Sequence, residues 1–83
     1  MSTQTTEALS QQVIELVSTY IDIPRTQISL DSHFVADLGF DSLDRVEFVM
    51  LVEEEFDIDV PDEVSETINT VRDAVQAVQK LTS

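Results

Sequence analysis

The chain has 83 residues and a mass of 9.3 kDa, and four basic against seventeen acidic side chains give a formal charge of −13 and a pI near 4.1. So negative a surface repels nucleic acid phosphates and anionic lipid, and no cysteine and one histidine leave no disulfide framework, no thiolate zinc site and no ordinary imidazole-ligated metal site. Yet 42% hydrophobic residues and a mean hydropathy of +0.01 are too apolar for a disordered acidic tail, so a single domain over 1–83 with one modest core is expected.

Residues 1–6 are polar and uncharged, which predicts a flexible tail with no signal or transit character, and no apolar stretch is long enough for membrane insertion. Leu9, Val13, Leu16, Val17 and Tyr20 recur at helical spacing and predict a first helix over 7–20 that stops before Pro24. A long connection follows, anchored by Ile23, Ile28, Leu30, Phe34 and Leu38 and expected to pack across the helices. Gly39 permits a tight turn, and Asp41 is read as the N-cap of a second helix over 42–56, with Ser42 its first residue and Asp44 favourably placed at the positive end of the helix dipole. Pro61 and Asp62 start a short helical turn over 62–68, and Thr70, with Asp73 three residues on, caps a last helix over 71–81 whose stripe is Val71, Ala74, Val75, Val78 and Leu81. The fold class is all-α: a small four-helix bundle of three longer helices and one short one, with a long loop between the first two.

Twelve of the seventeen acids lie within 37–66, against the single base Arg45. A solvated face is the ordinary reading of such a run. The second helix, however, is apolar on more than one side. Phe48, Val49, Val52 and Phe56 form a core stripe, whereas Leu43 and Met50 fall roughly opposite among Asp44, Glu47 and Glu54. Leu43 and Met50 are therefore either a docking patch or further core covered by the connection, and Val46 and Glu53 lie between the two faces.

Ser42 is the best single candidate for covalent chemistry, because the first turn of a helix offers unpaired amides and positive dipole character that suit a phosphate ester. Serine at a helix start is common, however, and by position alone the exposed residue of a capping region is the favoured reading. Enzymatic readings fare poorly. Phe40 interrupts any Gly-Asp-Ser-Leu nucleophile block, and His33 in a loop is a weak candidate base with no oxyanion motif beside it. A calcium loop beginning at Asp57 has Asp62 at position six, where glycine is needed, and Ile68 at position twelve, where glutamate is needed.

The stretch Phe34-Val35-Ala36-Asp37-Leu38-Gly39-Phe40-Asp41-Ser42-Leu43-Asp44 resembles the modification site of acyl carrier proteins. The resemblance continues through Val46-Glu47-Phe48-Val49-Met50, the run from Glu53 through Pro61 to Glu63, and Ile68-Asn69-Thr70-Val71, covering about residues 8–81. It implies a non-catalytic carrier in which Ser42 bears 4′-phosphopantetheine, attached from coenzyme A by a phosphopantetheinyl transferase, with acyl chains held as thioesters on the imported thiol. It implies docking to basic patches of that transferase and of acyl-chain synthases, reductases and acyltransferases through Asp41, Leu43, Asp44, Val46, Glu47, Met50, Glu53 and Glu54. It implies an acyl cavity lined by Phe34, Val46, Val49, Val52, Ile68, Val71 and Ala74, and a monomer working in fatty-acid or related synthesis in the cytoplasm.

Phe40 and Arg45 depart from the commonest pattern of that family. Phe40 is expected to set its ring beside the prosthetic arm, and Arg45 to place a positive charge on the second helix, making both candidates for partner specificity. They admit a dedicated polyketide, lipid-A or aminoacyl carrier of the same fold. From another class comes an acidic interaction module or weak calcium binder, in which Ser42 is an ordinary helix-start residue.

Overall fold

Leu9, Val13 and Val17 recur every four residues along α1 (Thr6–Ile21), and this stripe is completely shielded from solvent in the computed structural model, which describes residues 6–82. The expected tail over 1–6 lies outside the described residues except for Thr6, which is the first residue of α1. The other helices are α2 (Ser42–Phe56), α3 (Asp62–Ser65) and α4 (Val71–Thr82). Val71, Ala74, Val75 and Val78 of α4 pack against the α1 stripe, and Phe48 and Val52 of α2 close the core from the side. The chain is thus all helix and connection, with no strand among the described residues. No helix among them is long and apolar enough to cross a membrane.

Two helices stop without glycine. Asp22 after α1 and Asp57 after α2 take the left-handed conformation, at φ 58° and 56°, a region that aspartate tolerates better than most side chains. In each case the next residue, Ile23 or Ile58, donates its N–H back to a carbonyl of the last turn and packs its side chain against the core. The short helix is tighter than the spacing predicts: α3 ends at Ser65, and Thr67 and Ile68 donate to carbonyls only three residues back as the coil tightens out of α-geometry.

The long connection holds a 3₁₀ turn at Arg25–Gln27 and is tied down farther on by main-chain bonds. Phe34 N–H donates to Asn69 O (2.9 Å), while Val71 and Arg72 donate to Ser32 O (3.0 Å) and Leu30 O (2.9 Å). Two first-turn amides of α4, which lack partners within their own helix, are therefore satisfied by the loop. Thr70 and Asp73 complete that helix start reciprocally: Asp73 N–H donates to Thr70 Oγ1, and Thr70 N–H to Asp73 Oδ2.

One expectation is corrected by this arrangement. Phe40 does not stand on the surface beside Ser42; it is only 3% exposed. Gly39, at φ 75°, turns the chain, Phe40 N–H donates to Phe34 O at 2.8 Å, and the ring points inward. There it meets Phe34, Phe48 and Tyr20 at centroid distances of 5.0, 5.8 and 5.6 Å, in the tilted and edge-on arrangements that aromatic quadrupoles favour. Phe40→Ala is therefore expected to lower stability by roughly 3–5 kcal/mol in urea unfolding followed by circular dichroism. A loss below about 1 kcal/mol would show that the ring is not part of the supporting core.

Candidate functional site

The exposed Ser42 opens α2, and the residues on either side of it define the helix start. Asp41 is extended, at φ −103° and ψ −172°, so its side chain turns back over the first turn as an N-cap. Asp44 N–H donates to Asp41 Oδ1 at 2.8 Å, and Asp41 N–H donates to Asp44 Oδ2 at 3.0 Å. The two aspartates thus satisfy each other's main chain, a capping box in which aspartate takes the place usually held by glutamate. The Ser42 hydroxyl has no hydrogen-bond partner among the described residues and stands at the positive end of a fifteen-residue helix. This is a setting in which an oxygen can bear a phosphate ester close to helix-start amides.

A third contact braces the site from α1. The Tyr20 hydroxyl lies 3.0 Å from Asp44 Oδ1 and 2.7 Å from Glu47 Oε1, donating its one proton between two carboxylates a helical turn apart. The Glu47 carboxylate foremost, then partial burial and Asp44, push the Tyr20 phenol well above its ordinary value. The Asp41 N–H foremost, then the Tyr20 hydroxyl, hold the Asp44 carboxyl below its ordinary 3.8. Sequence reasoning missed Tyr20, whose spacing marks it as one more apolar position of α1.

The outer face of α2 resolves the two readings of its second apolar stripe. Leu43 is 64% exposed, Val46 57% and Met50 54%, and their spacing of three and then four residues places them on one ridge. Asp41, Glu47 and Glu54 are exposed around that ridge, and Asp44 is half-buried beside Tyr20. Glu53 differs from them: it is half-buried, and its Oε2 accepts the Val60 N–H at 2.8 Å, tying α2 to the segment that enters α3. Val35, in the loop before Gly39, is another large apolar side chain left half exposed.

Behind the ridge, between α2 and the segment containing α3, lie two small cavities of about 10 and 20 Å³, each with room for no more than about one water molecule. Phe34, Phe40, Arg45 and Ser65 line the smaller, and Val52, Val60, Ala74, Ala77 and Val78 the larger; Phe48, Val49 and Ile68 belong to both. Of the residues expected at an acyl cavity, Phe34, Val49, Val52, Ile68 and Ala74 are on these walls. Val46 is not, because it faces solvent, nor is Val71, which is fully buried in the main core.

Comparison with known proteins bears on this geometry. A family model described as a phosphopantetheine attachment site matches residues 11–78. A protein from Prochlorococcus marinus (strain MIT 9515) named acyl carrier protein is 47% identical over 73 residues, which cover 88% of this chain and 91% of that one.

The lowered pKa of Asp44 links the helix start to pH. Because the folded state depresses this group below 3.8, its contribution to stability is present at neutral pH and is lost as pH falls through and below that value. The stability difference between the native chain and Asp44→Asn should therefore be full at neutral pH and close under acid. Urea unfolding of both proteins across the range checks this, and a difference that stays constant down to about pH 3 would contradict it.

Proposed function

The chain belongs to the acyl carrier protein family, and from that premise we propose that Ser42 is the residue bearing 4′-phosphopantetheine and that the protein shuttles acyl chains among the enzymes of fatty-acid synthesis. The observation that carries the assignment is the exposed, unpartnered Ser42 hydroxyl at a rigidly capped helix start, beside an apolar ridge set among carboxylates. When attached, the group supplies the thiol that a cysteine-free chain lacks. The protein's own residues supply position. Asp41 and Asp44 fix the first turn, its amides and dipole favour the phosphodiester, and Tyr20 holds Asp44 and Glu47 together against their mutual repulsion.

In this reading the protein is a carrier and not a catalyst, and the groups that make and break acyl bonds belong to its partners. Leu43, Val46 and Met50 form the apolar centre of the docking surface, and Asp41, Asp44, Glu47 and Glu54 its charged rim, complementary to basic patches on a transferase and on synthases, reductases and acyltransferases. Long-range attraction of this kind speeds encounter more than it tightens the complex, which suits a shuttle that must leave each enzyme. The two cavities behind α2 are the place where an acyl chain inserts, with Phe34, Val49, Val52, Ile68 and Ala74 on their walls.

Intact-mass measurement before and after incubation with coenzyme A and a broad-specificity phosphopantetheinyl transferase tests the assignment. The native chain should gain one phosphopantetheinyl group and Ser42→Ala none. Folded native protein that several transferases leave unmodified, or an alanine variant modified to the same extent, would overturn it.

A further inference from the structure

We infer that Arg45 is a clasp that sets the length at which an acyl chain can insert between α2 and segment 60–68, an inference that rests on the proposed carrier function and its cavity. Arg45 lies one turn beyond Ser42, yet its guanidinium does not join the acidic outer face. Nη2 reaches inward and donates to Ser65 O at 3.0 Å and to Ile68 O at 2.9 Å, binding α2 to the last residue of α3 and to the turn behind it. Among the described residues, the hydrogen bonds that tie α2 to segment 60–68 are these two and the Glu53 bond to Val60, one fastening at each end of the cleft. Arg45 holds the end nearer the serine, and its side chain forms part of the wall of the smaller cavity there.

The cavities have room for about one water molecule each and share Phe48, Val49 and Ile68, so a chain inserts only by parting α2 from segment 60–68. Parting them at the serine end breaks the Arg45 bonds. A short acyl group buries too little to offset that loss. Each further buried methylene favours insertion by about fourfold, so there is a length beyond which the chain goes in. Two charge-assisted bonds from a half-buried guanidinium, partly replaced by water on opening, are equivalent to about two to four methylenes. Arg45 therefore acts as a specificity-determining residue: it keeps short chains outside, where partner enzymes reach them, and shelters longer ones.

The test uses phosphopantetheinylated protein loaded with acyl groups of increasing even length, from acetyl to dodecanoyl, and follows cleavage of the thioester by hydroxylamine. In the native protein the rate should fall sharply beyond a threshold length. In Arg45→Ala that threshold should come about two to four carbons earlier, with the acetyl rate unchanged. Arg45→Lys, which keeps donors but not the two-carbonyl reach, should fall between, and it also serves if the alanine variant proves unfolded by circular dichroism. The same threshold in native and variant proteins would overturn the clasp while leaving the cavity intact. Rates independent of chain length in every protein would overturn the cavity reading, and the clasp with it.

Discussion

The start of α2 must be exposed and rigid at once, and the exchange of hydrogen bonds between Asp41 and Asp44 reconciles the two demands. An exposed helix end ordinarily frays, because its first amides have no partner within the helix. Here each aspartate satisfies the other's main chain, and an N-cap of this kind is worth about 0.5–2 kcal/mol. Tyr20 braces the pair from α1, and its ring rests on Phe40 and Phe48, so the aromatic nest and the surface site are one mechanical unit. Gly39 supplies the turn that lets Phe40 dive into the nest while Asp41, one residue later, comes back to the surface. Ser42 is thereby held out from a framework that does not need to reorganise to present it.

Electrostatics divides the cations of the chain in a way that serves the outer face. Arg25 pairs with Glu15 at 3.2 Å and Arg72 with Asp31 at 2.8 Å, both in solvent, where such pairs add little stability. Arg45, the one base in the acidic stretch 37–66, turns inward to main-chain carbonyls. The outward face of α2 is left uniformly negative around an apolar ridge. Self-repulsion at −13 disfavours the compact state, and the apolar packing of α1 against α4 has to outweigh it.

Much of this was legible in the sequence, because the deciding signals are local. The start and end of α2, the Asp41 cap, the Thr70–Asp73 cap of α4 and the split of α2 into two apolar faces all follow from spacing and from residue type at a helix end. What was not legible depends on how elements meet. Phe40 and Ser42 are two residues apart with opposite fates, and only the turn at Gly39 decides which of them faces the core. Val46 and Val71 resemble Val49 and Val52 in type; their exclusion from the cavity walls reflects the rotation of α2 and α4 against each other, which no periodicity fixes. Ala77 lines the larger cavity for the same reason, and Val60 does so because the segment entering α3 folds back against α2. Glu53 falls between the two faces of α2 by spacing, and what decides its place is the Val60 N–H brought to its carboxylate. Arg45 likewise gives no sign in sequence of the carbonyls it binds twenty and twenty-three residues away.

The helix start presents Ser42 in finished form. Amide chemical shifts of ¹⁵N-labelled protein, recorded before and after transfer of the phosphopantetheinyl group, test it most directly. Changes confined to the loop before α2 and its first two turns, with the α1 and α4 core unmoved, are expected of a preformed start. Changes spread through α1 and α4, or centred on Ser29, Ser32 or Ser65 instead of Ser42, would contradict it.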